Sequence, residues 1–223
     1  MIAFEHVSKR FGRVIALHEV SLQIARGERV AFVGANGSGK TTLLRALLGL
    51  VRVSGRALVA GVDVAEDPKA ALAHLAYIPQ ISPPLDAPVC EVVTAYAALR
   101  GVLHARIAEQ ADPLGLDLEA VAHTRFRDLS GGMKQKLLAA LALSTRAEVL
   151  VCDEPTANLD ASARTAFFAE LARRDADQIV ILCSHREEEV HSFVERVIEL
   201  RDGQLVRDER SQPVTRARLR AVP

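Results

Sequence analysis

One short run, Gly34-Ala35-Asn36-Gly37-Ser38-Gly39-Lys40-Thr41, decides most of what this chain can fold into. It satisfies G-x-x-x-x-G-K-[ST], a pattern that acts as a phosphate cradle only where a strand feeds the glycines and a helix leaves them. Both flanks fit. Arg29 to Gly34 reads as a buried strand, and Thr41 to Leu50 has helical spacing with Gly49 near its end. In that setting backbone N–H groups converge on phosphate oxygens and the positive end of the helix faces the same anion. Lys40 is expected to reach the β- and γ-phosphates and the Thr41 hydroxyl a Mg²⁺ ion, with Thr42 completing the lining of the loop.

A second apolar strand, Val149 to Cys152, ends in the paired acids Asp153 and Glu154. Ligands of open α/β sheets gather at such strand ends. Adjacent carboxylates there point different ways, so Asp153 is placed to hold Mg²⁺ through its water shell and Glu154 to orient an attacking water. Phosphoryl transfer depends on such positioning and electrostatics.

Composition narrows the setting. With 223 residues and 49% hydrophobic content, the chain can build one large domain. Lys+Arg and Asp+Glu both total 28, so nothing points to nucleic acid as a partner. Cys90, Cys152 and Cys183 are scattered and form no C-x-x-C pair, which argues against disulfides or zinc and fits a reduced compartment, while Cys152 and Cys183 sit in apolar runs as ordinary buried thiols. The N-terminus carries Glu5 and Lys9 where a signal peptide needs an apolar core. Apolar runs such as Leu137 to Leu143 fall short of the roughly 20 residues that span a bilayer, so any membrane path must come from another chain.

Along the chain, Ile2 to Val7 and Val14 to Ile24 alternate as exposed antiparallel strands, and Gly55 to Val59 and Ala73 to Ile78 read as further strands. Pro83, Pro84 and Pro88 break the pattern in the segment from Ile81 to Val89. Helical spacing resumes at Glu91 to Leu99, Ala105 to Leu116 and Met133 to Leu143. Ala161 to Arg174 reads as helix and Gln178 to His185 as strand, so that strand, helix and strand succeed one another in a crossover that implies parallel pairing. Val194 to Leu200 and Gln204 to Arg207 flank a turn at Asp202-Gly203, and the tail from Ser211 carries Arg216, Arg218 and Arg220.

Between the two phosphate-directed motifs lies Leu129-Ser130-Gly131-Gly132-Met133-Lys134-Gln135. Ser130 is a good N-cap, and Gly131 and Gly132 leave N–H groups bare at a helix start, which makes a second anion site. This order of motifs resembles the ATP-binding domain of ABC transporters over about Ile2 to Arg207.

The resemblance implies an α/β fold: a P-loop NTPase core with a mostly parallel sheet, an N-terminal antiparallel β subdomain, and a helical subdomain inserted at about 88–145. The whole is expected to be one domain over 1–210 with a tail over 211–223. It further implies that Ser130, Gly131, Gly132 and Met133 cover the γ-phosphate held by the opposite protomer, in a head-to-tail dimer enclosing two ATP molecules. Asn158, Leu159 and Asp160 would run along that interface. His185 would contact the γ-phosphate as a third catalytic residue beside Glu154 and Lys40, and Gln80 would approach Mg²⁺ and the water. Phe11 would stack on adenine, although a core-facing phenylalanine is the competing reading. Met133 departs from the glutamine usual in the family, and methionine cannot close a capping box with Ser130.

By the same resemblance the chain is expected to be an ATPase subunit working with Mg²⁺, with a second copy or a paralogue, and with a separate transmembrane permease at the cytoplasmic membrane face. Export is favoured by Met133 and by the lack of an extra C-terminal domain. A soluble ABC-type ATPase for cofactor or cluster assembly is the alternative.

Overall fold

The structure, a computed structural model, describes residues 1–184 and 193–210, arranged in two compact units. The first takes in Met1–Ala76, Ala147–Asp153 and the described residues from Asp175 onward. Its smaller sheet is antiparallel: β1 (Ile2–Phe11) pairs with β2 (Val14–Ile24) and with β4 (Ser54–Val59), which in turn pairs with β5 (Val62–Asp63). Alternation in the sequence turns Leu17, Val20, Leu22 and Ile24 inward and leaves the residues between them to solvent, the signature of a sheet covered on one face.

The larger sheet has the order β10-β9-β3-β8-β7-β6. Its centre is β3 (Arg29–Val33), lying parallel to β8 (Ile179–Cys183) on one side and to β9 (Arg196–Arg201) on the other. β7 (Val149–Asp153) runs parallel to β8, and β10 (Gln204–Arg210) returns antiparallel to β9. Every residue of β7 and β8 is buried, which is why their sequences read as continuous apolar runs. α1 (Lys40–Leu47) buries Leu43, Leu44, Ala46 and Leu47.

At the edge of this unit Arg196 is a charge hub. It forks onto both oxygens of Asp208 at 2.7 Å, meets Glu28 at 2.7 Å and donates to the Gln23 carbonyl at 2.8 Å. The pairing raises the guanidinium pKa and holds the Asp208 carboxyl below its ordinary value.

One expectation fails here. The strand read from Ala73 begins only at Leu75, as β6 (Leu75–Ile78), because the preceding residues form α2 (Pro68–Ala73). Asp67 accepts the Ala70 N–H at 2.9 Å and Pro68 occupies the first turn, a helix start that was legible in the sequence.

The second unit takes in Tyr77–Arg146 and Glu154–Arg174, so it reaches beyond the 88–145 stretch to include the segment after the paired acids. It holds α3 (Val89–Arg100), α4 (His104–Ala111), α5 (Leu118–Val121), α6 (Gly131–Ser144) and α7 (Ala161–Ala172). The helix expected over Ala105 to Leu116 is shorter: Pro113 lacks an N–H, a 3₁₀ turn covers Asp112–Leu114, and Gly115 closes it at φ 69°. Arg174 caps the far end of α6 by donating to the Leu143 and Thr145 carbonyls at 2.6 and 2.5 Å. The proline-broken segment is moored rather than loose. Asp86 is gripped by Arg125 at 2.7 Å and Arg127 at 2.8 Å, and the Phe126 N–H meets the Ala87 carbonyl at 2.8 Å.

Candidate functional site

In the first unit the glycine loop joins β3 to α1. Gly34, Gly37 and Gly39 have φ of 139°, 82° and 108°, a left-handed winding that side chains with a Cβ resist. At Gly34 and Gly39 space forbids substitution as well. A Cβ on Gly34 would lie 2.2 Å from the Leu200 carbonyl oxygen, and one on Gly39 would lie 2.7 Å from that of Ala16.

The loop therefore rests on a floor. Gly203, in the β9–β10 turn, donates its N–H to the Ser38 carbonyl at 3.0 Å, while its own carbonyl accepts the His18 N–H at 2.8 Å. Sequence reasoning found the Asp202-Gly203 turn but not this role. Leu200 and Gly203 are far from the motif in the chain and Ala16 belongs to β2 of the other sheet, so only the folding of the whole unit brings the three against the loop.

Lys40 points into the loop it follows. Its Nζ donates to the carbonyls of Gly34 at 2.6 Å and Ala35 at 3.0 Å and to the Ser38 hydroxyl at 3.4 Å, which holds the loop wound around a positive centre. Gly34, Ala35, Asn36 and Gly37 are open to solvent to varying degrees, while Lys40, Thr41 and Thr42 are half-buried on the first turn of α1. An anion entering here meets bare N–H groups, a helix start and an ammonium together.

Asp153 reaches the same sheet end. In the parallel register, Phe32 and Asp153 both stand opposite Cys183, with β8 between their strands. Two strand spacings put Asp153 about 10 Å across the sheet from β3, level with the start of the loop. Asp153 is buried. Among the described residues no group of three or more His, Cys, Asp or Glu side chains is placed to hold a metal. The donor set instead fits Mg²⁺, which keeps much of its water and takes one or two protein oxygens beside substrate phosphates. Phe11 ends β1 with 49% of its surface exposed and the Lys9 ammonium over its ring, 5.1 Å from the centroid, so it is not a core residue.

In the second unit Glu154 opens the segment after β7. It is buried, and its φ is 50°, a left-handed conformation that costs a residue with a side chain on the order of 1–3 kcal/mol and persists only where the surroundings impose it. Gln80 is exposed just past the end of β6.

Ser130 is the N-cap of α6: its hydroxyl accepts the Met133 N–H at 3.2 Å. That bond leaves the N–H groups of Gly131 and Gly132 untouched by the cap. Met133 is half-buried. Asn158 lies against both glycines, its backbone oxygen 3.0 Å from where a Gly132 Cβ would sit. Leu159 is buried, and Asp160 caps α7 by accepting the Ala163 N–H at 2.8 Å. That backbone bond and the Lys136 ammonium, 2.9 Å away, hold the Asp160 carboxyl below its ordinary range. His185 and the tail over 211–223 lie outside the described residues.

Known proteins converge on this arrangement. Residues 17–157 match the family described as ABC transporter. The chain is 37% identical to the phosphonates import ATP-binding protein PhnC of Frankia casuarinae, covering 93% of this chain and 89% of that one. It is 33% identical to the human phospholipid-transporting ATPase ABCA3 over 92% of this chain but only 12% of that much longer protein. Among solved structures, the dimeric post-hydrolysis state of the ATP-binding cassette MJ0796 bound to ADP and Pi superposes with a TM-score of 0.82 at 26% identity, covering 96% of this chain and all of that one. With a phosphate cradle on a mostly parallel sheet, a buried acid at the same end of that sheet and a serine-capped second helix start, the chain belongs to the ABC transporter family as an ATP-binding subunit that hydrolyses ATP.

Proposed function

We propose that two copies of this chain, or this chain and a paralogue, close head to tail around two ATP molecules and thereby drive a separate transmembrane permease. The observation that carries the reading is the presence of two anion-directed helix starts on one chain. α1 has a lysine and a glycine cradle beside it, whereas α6 has a cap and bare N–H groups and no cation in its first turn until Lys134, whose ammonium is spent on the Arg127 carbonyl at 2.6 Å. A helix start without its own ligand is complete once another protomer brings the phosphate. The solved relative bound to ADP and Pi is dimeric, which supports the same arrangement here.

In this reading Gly34, Ala35, Asn36, Gly37, Ser38, Gly39, Lys40, Thr41 and Thr42 bind the phosphates and Phe11 stacks on adenine. Ser130, Gly131, Gly132 and Met133 face the γ-phosphate of the opposite site, and Asn158, Leu159 and Asp160 line the interface. Thr41, Asp153 and Gln80 would hold Mg²⁺, which would offset phosphate charge. Glu154 orients a water for in-line attack on the γ-phosphorus. The new P–O bond forms as the bond to the β–γ bridging oxygen breaks, and ADP leaves with phosphate. His185 assists at the γ-phosphate.

Driving such an equilibrium from 1:99 to 99:1 needs about 5.5 kcal/mol of differential binding, which charge-assisted bonds at two γ-phosphates supply. Among the described residues no helix is long and apolar enough to cross a membrane, which fits a subunit acting from the cytoplasmic face. Met133 favours export, while the phosphonate-import relative is named for the opposite direction.

The decisive experiment is Glu154→Gln under saturating Mg-ATP. Hydrolysis should fall by at least ~10²-fold and the ATP-bound dimer should accumulate by light scattering. A variant that stays monomeric even with its membrane partner present rules the closing model out.

A further inference from the structure

We propose that Gln135 is a positioning residue for hydrolysis, acting on Glu154 through the carbonyl of Pro155. Gln135 lies on α6 one turn beyond Gly131, and although polar it is only 1% exposed, among buried leucines and alanines of the same helix. Its Nε2 donates to the Pro155 carbonyl at 3.0 Å. A carbonyl oxygen only accepts, so the amide nitrogen must face it. The other end of the amide, Oε1, is buried with no hydrogen-bond partner among the described residues.

A buried acceptor left unsatisfied is a standing cost that methionine or leucine at this position would not carry. Core packing alone gives no reason for glutamine here, which leaves the Nε2 bond as its contribution. The peptide it grips matters because of what precedes it. Glu154 has φ 50° and is followed by proline, a combination the local chain does not favour by itself, and such a conformation is kept only by surrounding contacts. The bond from Gln135 holds the carbonyl of the proline that directly follows that residue. Because Gln135 belongs to the helix that Ser130 caps, the same end of α6 carries both the phosphate-facing glycines and the tie to the carboxylate segment.

The inference rests on the reading of Glu154 as the water-orienting carboxylate. The test therefore uses the full chain in three variants, Glu154→Gln, Gln135→Met and Gln135→Glu, measuring ATP affinity, KM and the single-turnover rate of Mg-ATP hydrolysis across pH. Methionine matches glutamine in length and flexibility but cannot donate. Gln135→Met is expected to keep KM within about twofold and to lower kcat ~10- to 100-fold, the scale of a small misplacement of a reacting group.

Gln135→Glu adds a readout that packing would not move. Burial favours the neutral acid, which donates to the Pro155 carbonyl as the amide does, whereas the carboxylate repels it. Its kcat should therefore approach the parent value at low pH and fall as pH rises, relative to the parent profile. If Glu154→Gln hydrolyses ATP at the parent rate, the reading of Glu154 fails and this inference with it. If Glu154→Gln is inactive while Gln135→Met keeps the parent kcat, or loses only affinity, the inference alone is overturned. Should Gln135→Met not fold, the pH profile of Gln135→Glu decides, and a profile parallel to the parent's rejects the role.

Discussion

α1 and α6 both start on glycines and both present N–H groups to an anion, yet they are built on opposite plans. The start of α1 is over-determined. Gly39 occupies its N-cap at φ 108° with no side-chain cap, Lys40 folds back onto the loop carbonyls, and Leu200, Ala16 and Gly203 close the space beneath. The start of α6 is spare. Ser130 supplies one hydroxyl bond, Gly131 has ordinary helical backbone, and a Cβ there would meet nothing closer than Asn158 at 3.9 Å. A glycine in the first loop is a requirement of the fold. Gly131 is instead a requirement of whatever must come close to the helix end from outside.

The sharpest way to break this contrast is to place alanine at each start. Gly39→Ala forces a Cβ into a left-handed residue and onto the Ala16 carbonyl, so stability should drop by roughly 2–4 kcal/mol, with ATP affinity lost alongside it. Gly131→Ala should leave the melting curve within about 0.5 kcal/mol of the parent while weakening ATP-driven dimer formation. Equal destabilisation by the two alanines, measured by denaturant titration, would erase the distinction.

A smaller effect is expected at the cap. Ser130→Ala removes the acceptor of the Met133 N–H and should cost ~1 kcal/mol in the same titration. Met133→Gln lets a side chain return the bond to the Ser130 N–H and should stabilise by ~0.3–1 kcal/mol. A neutral or destabilising Met133→Gln would mean that the half-buried methionine contributes more by packing than the box returns.

Least in size is a contrast between caps that titrate and caps that do not. The folded-state pKa of Asp160 lies below its unfolded value of about 3.9, so its contribution is fully present above that value and is lost as pH falls through the lowered folded value. The Ser130 hydroxyl has no such dependence. Asp160→Asn keeps an acceptor for Ala163 but not the pair with Lys136, so its thermal midpoint should trail the parent at pH 7 and converge with it as the pH drops below the ordinary carboxylate range. A deficit of the same size at both ends of that range would show that the ion pair adds nothing.

How much of this was legible in the sequence depends on how local each feature is. The glycine loop, β7 with its paired acids and the Ser130 cap are set by neighbouring residues, and their composition and spacing announce them. α2 was equally local, and its Asp67-Pro68 start was there to be read. The remainder depends on pairing across long separations. Nothing near Gly203 says that it lies beneath Ser38, and nothing near Gln135 says that it meets Pro155. Phe11 shows the middle case: an aromatic at a strand end fits either core or surface by sequence, and only the pairing of β1 settles that its ring is exposed.

The floor beneath the glycine loop also bears on the order of manufacture. Gly34 to Thr41 leave the ribosome early, but the residues that brace them, Leu200 and Gly203, are made only after β7 and β8 have been added to the chain. During synthesis the cradle waits with one wall missing, however soon its strand and helix form. The bracing of the glycine loop is thus among the last contacts of this unit to form, and a nascent chain halted before Gly203 carries the motif without the backbone bonds that tie Ser38 and His18 to the β9–β10 turn.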